Sequence, residues 1–204
     1  KNTINLDTNS LVKESLSKAI SYQDYRGQVA THVENGTSSG PDKSEALSNY
    51  TLLNNSRMKR LDATIKIEED VLEKFQQYHK NVTWLVITES WCGDAAHTLP
   101  VMNKLVGQAK NLDLKILYRD ENEELMNRFL TNGTMSIPKL IVFDNETKEV
   151  INDWGPAPLI IMNKTKHFKA THATLTTEFK KEIQIWYNQN KGKCIAGDLL
   201  KLIE

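Results

Sequence analysis

Between Glu68 and Ile151 the chain alternates in a way that few folds accommodate. Val82–Thr88 is a short run that is nearly all apolar, the pattern of a strand buried on both faces. A sheet covered by helices on both sides is what buries such a strand. The flanking segments supply the covers. Glu68–Lys80 reads as a helix with Val71, Leu72 and Phe75 on one face, and Ala95–Lys110 reads as another. Leu112–Tyr118 is expected to be a strand and Glu121–Thr131 a helix stopped by Asn132-Gly133. Lys139–Phe143 and Glu149–Ile151 read as strands joined by a turn at Asp144-Asn145. Strand, helix, strand, helix and hairpin imply an α/β chain with a central mixed sheet and helices on its faces.

Residues 1–62 have a different character and read as a polar, helical N-terminal extension. Asn9 or Ser10 can cap a helix that turns Leu11, Leu16, Ala19 and Ile20 inward. A turn-rich loop, Glu34 to Asp42, separates it from a second helix starting at Ser44 and carrying Leu47, Tyr50, Leu53, Met58 and Leu61. Two short helices make a poor core, so the extension is expected to pack on the sheet domain. Residues 63–190 read as that domain, closed after Trp154-Gly-Pro-Ala-Pro158 by an amphipathic helix over Thr174–Gln189. Residues 191–204 read as a C-terminal tail.

Composition removes several function classes. Lys plus Arg and Asp plus Glu both total 26, so no overall charge calls for nucleic acid or a membrane surface as partner. The longest apolar runs, such as Leu140–Phe143 and Leu159–Met162, fall far short of the ~20 residues that span a bilayer. Leu11–Ile20 is too interrupted by polar residues for a signal peptide, although a removed signal would leave no trace. Two cysteines, Cys92 and Cys194, do not form a disulfide framework, and a reducing, cytoplasmic setting is expected.

The chemistry concentrates at Glu89-Ser90-Trp91-Cys92-Gly93-Asp94-Ala95, where the buried strand ends and a helix begins. A cysteine there meets unpaired backbone N–H groups and the positive end of the helix dipole, and both favour the nucleophilic thiolate. Asp94 and Glu89 oppose this, so a modest downward shift of the Cys92 pKa is expected. On that basis Cys92 should alkylate faster than Cys194. The competing reading of the same position is a small buried hydrophobe. A second feature is Ser136-Ile137-Pro138, directly before the strand at Lys139. Proline there can simply end strand hydrogen bonding. Following a strand–Cys–helix unit, a cis peptide facing the cysteine is the better reading, with the backbone of Ile137 free to pair with an extended segment.

Trp91-Cys92-Gly93-Asp94-Ala95, a helix bearing Pro100, and Ile137-Pro138 about 45 residues after the cysteine together resemble thioredoxins. The resemblance covers the central and C-terminal region, not residues 1–62. More narrowly, Glu-Ser-Trp-Cys-Gly-Asp, Arg119-Asp120-Glu121-Asn122 and Ser-Ile-Pro-Lys-Leu are similar to a bacterial thioredoxin-like branch often seen in Bacteroidetes. The resemblance implies a thioredoxin fold, with Cys92 as catalytic nucleophile and Trp91, Gly93, Asp94, Ile137 and Pro138 forming the substrate groove. It also exposes two departures. Thioredoxins carry Cys-x-x-Cys, whose second sulfur releases the substrate; Ala95 stands there. They also place a buried acid six residues before the first cysteine, and Val86 stands there.

Other candidates carry less. His97 lies one and a half turns beyond Cys92, a poor arrangement for sharing a metal ion, and no metal or cofactor is expected. Asp120, Glu121, Glu123 and Glu124 read as a solvated, acidic helix start. Trp154 can line the thiol groove or simply pack. Pro100 is expected to kink its helix. Cys194, in Lys191-Gly-Lys-Cys-Ile-Ala-Gly197, reads as an idle thiol with resolving as its rival role. Two functions follow. One is monothiol exchange with a protein or low-molecular-weight disulfide, completed by an external thiol. The other is an inactive thioredoxin-fold module that holds an extended peptide or partner protein. An iron–sulfur carrier would also need only one cysteine per subunit, but the Gly-Phe-Ser context of monothiol glutaredoxins is missing.

Overall fold

The structure, a computed structural model, describes residues 6–204. Five strands form one sheet in the order β1-β3-β2-β4-β5: β1 (Ile20–Ser21), β2 (Val82–Thr88), β3 (Leu112–Tyr118), β4 (Lys139–Asp144) and β5 (Glu149–Trp154). The pair β2–β3 is parallel, running from Val82↔Leu112 to Thr88↔Tyr118, while β2–β4 and β4–β5 are antiparallel. All seven residues of β2 are buried, as their composition requires of a central strand. The sheet is mixed and flanked by helices, as the alternation implies and as the resemblance to thioredoxins leads one to expect.

Helices cover both faces: α1 (Thr8–Leu16), α2 (Tyr22–Glu34), α3 (Glu45–Thr64), α4 (Glu69–Gln76), α5 (Gly93–Val106), α6 (Glu123–Met126), α7 (Leu159–Thr171), α8 (Thr177–Asn190) and α9 (Lys193–Leu200). Phe75 of α4 meets Trp84 of β2 edge-to-face at 5.8 Å, and Leu99, Met102 and Leu105 of α5 are fully buried beside them. Pro100 lies inside α5, which continues to Val106. No helix among the described residues is long and apolar enough to cross a membrane.

The N-terminal region differs from its sequence reading. Asp7, rather than Asn9 or Ser10, caps α1 by accepting from the N–H groups of Asn9 and Ser10. Ala19 and Ile20 fall outside that helix, and Ile20 enters the sheet as β1, antiparallel to β3 at Ile116. A further helix, α2, follows at once, capped by Ser21 through the Asp24 N–H. It buries Tyr22, Tyr25 and Val29, which hold the i, i+3, i+7 spacing of a helix face, a signal that sequence reasoning missed. In α3 the apolar residues do not define the inner face. Tyr50 and Leu53 are exposed, and Thr51, Asn54 and Met58 point inward.

Three later expectations also change. The helix anticipated over Glu121–Thr131 is a 3-10 turn at Arg119–Glu121 followed by the single-turn α6. Between Pro158 and the last amphipathic helix, where the sequence reading assigns no element, Leu159–Thr171 forms α7. Residues 193–200, read as part of a tail, form α9, with Ile195, Ala196 and Leu199 buried against α4 and α5. Lys191 and Gly192, both left-handed, make the corner between α8 and α9. A Cβ on Gly192 would stand 3.0 Å from Val101 and 3.1 Å from Ile65, so the corner packs as closely as it does because it lacks a side chain.

Candidate functional site

Cys92 is the N-cap of α5, with φ −76° and ψ 113°, and the three-residue loop Glu89-Ser90-Trp91 joins it to the end of β2. Its Sγ lies 3.3 Å from the carbonyl oxygen of Ile137, to which it donates. The Ile137–Pro138 peptide is cis. Position 45 residues away in sequence thus becomes contact in space because β2 and β4 are neighbours, with Ile87 opposite Lys139. Gly155, also preceding a cis proline, crosses close over Pro138; a Cβ there would collide with the Pro138 carbonyl.

The thiol is only 7% exposed. Burial, reinforced by the Asp94 charge, pushes its pKa up to about 12. The N–H groups of Ala95 and Asp94 pull the other way, as expected of a helix N-terminus, but they do not prevail. The expected downward shift is therefore corrected: desolvation of the thiolate outweighs the helix end. Asp94 is itself pushed up to about 6 by burial, while Tyr187 of α8 donates to its Oδ1 at 2.6 Å. Tyr187 also stacks on His97, with centroids 4.4 Å apart. Burial holds His97 down to about 4, and its Nε2 sits 2.8 Å from Gln184 Oε1.

A family model described as thioredoxin matches residues 40–172. The chain belongs to the thioredoxin family. The matched span begins at Gly40 and so takes in α3, part of what the sequence assigns to the extension. Among solved structures, a protein of unknown function from Pseudomonas aeruginosa is similar over 92% of this chain and 93% of its own, at 16% identity and a TM-score of 0.59. An HIV 4E10 epitope scaffold is similar over 90% of this chain and 98% of its own, at 17% identity and a TM-score of 0.56. At these identities the likeness concerns the fold alone. No curated protein matches the chain.

Within this thioredoxin fold the anticipated residues divide. Trp91, Gly93, Asp94, Ile137 and Pro138 surround or adjoin Cys92, and Arg119 lies over the Trp91 ring at 5.1 Å. Ala95 and Val86, the two departures from the family pattern, are fully buried. Cys194 is elsewhere. It lies on α9, its Sγ accepting from Asn190 at 3.0 Å, and it lines an open groove with Leu159, Phe168 and Phe179. Among the described residues no three His, Cys, Asp or Glu side chains converge as a metal site.

The residues that sequence reasoning missed are those that hold the Cys92 loop. Ser39 donates its backbone N–H to Ser90 Oγ at 2.9 Å, and its hydroxyl accepts from the Ser90 N–H at 2.8 Å while bonding Glu89 Oε2. Thr51 Oγ1 is 2.8 Å from Ser90 Oγ, and Asn54 Nδ2 donates to the Ser90 carbonyl at 3.0 Å. Glu89 is fully buried and accepts the Asp120 N–H at 2.9 Å; burial is the main cause of its raised pKa. The inward polar stripe of α3 therefore serves the loop, which explains why its apolar residues failed to mark the inner face. A buried polar group needs a partner, and Thr51 and Asn54 find theirs on Ser90. Polar residues at helical spacing were the available signal.

Proposed function

We propose that this thioredoxin-family protein, of the single-cysteine Bacteroidetes-like branch, carries out thiol–disulfide exchange with Cys92 as its attacking sulfur. The observation that carries the reading is the 3.3 Å approach of Cys92 Sγ to the Ile137 carbonyl at the start of α5. In the reaction the thiol gives its proton to solvent base and the thiolate attacks one sulfur of a protein or low-molecular-weight disulfide. A Cys92–substrate disulfide forms and the other half leaves as thiolate. With Ala95 in the second position, an external thiol must attack the adduct, regenerating Cys92 and carrying away the substrate sulfur as a disulfide. Residues 63–190 carry the exchange site in this reading, and Ser39, Thr51 and Asn54 of the N-terminal extension hold its loop. A reducing, cytoplasmic setting supplies the external thiol.

The raised pKa sets the rate. A thiol near 12 is ionised to about 10⁻⁵ at pH 7. Its thiolate is also more nucleophilic, with a Brønsted slope of about 0.4–0.5, so the net deficit against an ordinary thiol is on the order of 100-fold. An oriented substrate recovers far more, since effective molarities reach ~10⁵ M. Exchange therefore depends on seating the disulfide in the groove. The test uses bis(2-hydroxyethyl) disulfide and mass spectrometry. The adduct should accumulate on Cys92, clear only when glutathione is added, and be absent in Cys92→Ser. Ala95→Cys should clear it without glutathione.

One observation favours the inactive-module alternative: Cys92 is almost fully buried, and that burial disfavours its thiolate. Under that reading Cys92→Ser matches wild type in every condition, and only binding of an extended segment remains.

A further inference from the structure

We infer that Arg57 and Arg60 of α3 form a cationic lip beside the Cys92 loop that selects acidic, cysteine-bearing peptide segments. The inference rests on the exchange reading for the role of Cys92 and goes further in naming the substrate class. Gly93 is the first residue of α5, directly after the thiol. A methyl group built on it would stand 3.5 Å from Gln184 Nε2 and 3.9 Å from Arg57 Nη1. The guanidinium of Arg57 thus lies within contact distance of the residue that follows the thiol. It donates to Asn54 Oδ1 at 3.0 Å, and Arg60 donates to Asn188 Oδ1 at 2.8 Å. Both partners are neutral amides. Among the described residues neither arginine has a carboxylate within 4.0 Å, whereas Arg26 pairs with Asp62 and Arg119 with Asp120.

Leaving Arg57 without a counter-charge is costly, because it is half-buried and has Arg60 for a neighbour; both effects lower its pKa. A carboxylate arriving from outside would relieve both. A guanidinium offers paired N–H groups that match a carboxylate. Asp94 is the acidic group at the same helix start, and Tyr187 already occupies its Oδ1. The surface continues beyond a small molecule's reach. Tyr50 and Leu53 are 46% and 45% exposed, and with Arg57 and Arg60 they follow the three-and-four spacing of one helix face. From Tyr50 to Arg57 is seven residues, or about 10 Å along the axis at 1.5 Å per residue. That stripe fits a segment with acidic residues next to its cysteine and an apolar residue beyond them.

The experiment titrates the isotope-labelled full chain, carrying Cys194→Ser, with three probes followed by NMR. The probes are a glutamate-rich heptapeptide with a central S-methylated cysteine and one leucine, its lysine-for-glutamate counterpart, and 3,3′-dithiodipropionate. The acidic peptide should shift Leu53, Arg57 and Gly93 signals saturably. Arg57→Gln should weaken it about fivefold, the size expected of one partly exposed charge pair, and Arg57→Lys should fall between wild type and Arg57→Gln, keeping the charge but not the paired N–H groups. Equal binding of the lysine peptide, an unchanged preference in Arg57→Gln, or no binding of either peptide overturns the inference. Equal affinity for dithiodipropionate overturns the peptide assignment. Exchange with the uncharged bis(2-hydroxyethyl) disulfide reports on Cys92 without the arginines. Its absence beside an intact acidic preference sinks the exchange reading and, with it, the cysteine requirement, while the preference of Arg57 and Arg60 for acidic peptides stands.

Discussion

The two cysteines both stand at the start of a helix, and little else about them is alike. Cys92 caps α5 beneath the loop from β2, almost fully buried, with Asp94 beside it. Cys194 is the second residue of α9, half-buried on the wall of an open groove of about 1000 Å³. Its backbone N–H is taken by Asn190 Oδ1 at 2.9 Å. The difference teaches that a helix N-terminus does not by itself make a reactive thiol. The dipole is worth about 0.3–1 kcal/mol to a nearby anion. A pKa raised to about 12 corresponds to roughly 4 kcal/mol against the thiolate. Desolvation wins, and reactivity at Cys92 has to come from how a substrate is held.

The largest effect expected from this contrast is in alkylation. With iodoacetamide, which gains nothing from the groove, Cys92 should lag an ordinary thiol on the order of 100-fold at pH 7. Cys194 should label first. The Cys92 rate should rise about tenfold per pH unit up to its pKa near 12. Site-resolved mass spectrometry from pH 7 to 10 measures both. A faster Cys92 at pH 7 would break the comparison.

Loosening the loop should sharpen it. Ser90→Ala removes the partner of the Ser39 N–H, leaving a buried donor unmatched, while Thr51 Oγ1 loses one of its two partners and keeps the Leu47 carbonyl. A loss of about 2 kcal/mol in urea unfolding is expected, with faster labelling of Cys92 and no change at Cys194. Equal acceleration at both cysteines would mean global fraying rather than a local clamp.

The smallest effect concerns acid. His97 is neutral in the fold down to about 4, while an unfolded histidine takes its proton near 6.5. Stability from this group is therefore present above pH 6.5 and lost as pH falls from 6.5 to 4. Asp94 works in the opposite sense. The fold keeps its proton up to about 6, so its stabilising share is present below 3.8 and lost as pH rises through 6. The two offset one another in wild type. Unfolding midpoints at pH 7 and 4.5 should show Asp94→Asn losing about 1–2 kcal/mol more on acidification than wild type, and His97→Phe losing less. The same pH response in all three would remove His97 and Asp94 as its source.

Much of the architecture was legible in the sequence because it follows from local periodicity. The apolar run Val82–Thr88 could only be a central strand, and Ser44 and Asp144-Asn145 marked a helix start and a hairpin turn that the structure also has. Cys92 and Ile137-Pro138 could be picked out by type and order alone. The extension was less legible. A two-residue strand, Ile20–Ser21, has no periodicity to read, α2 carries its helical signal on only three residues, and α3 buries the polar Thr51 and Asn54.

What the sequence determined by itself is the set of elements with a strong repeating pattern, the placement of one sulfur at a strand–helix junction, and the absence of a second at position 95. What only the tertiary structure decided is the state of that sulfur and the company it keeps. The burial of Cys92, the grip of Ser39, Thr51 and Asn54 on Ser90, the stacking of Tyr187 over His97 and the approach of Arg57 to Gly93 all join residues distant in the chain. Solvation and electrostatics depend on what fills the space around a group. That filling is set by how the helices close over the sheet, and no local pattern records it.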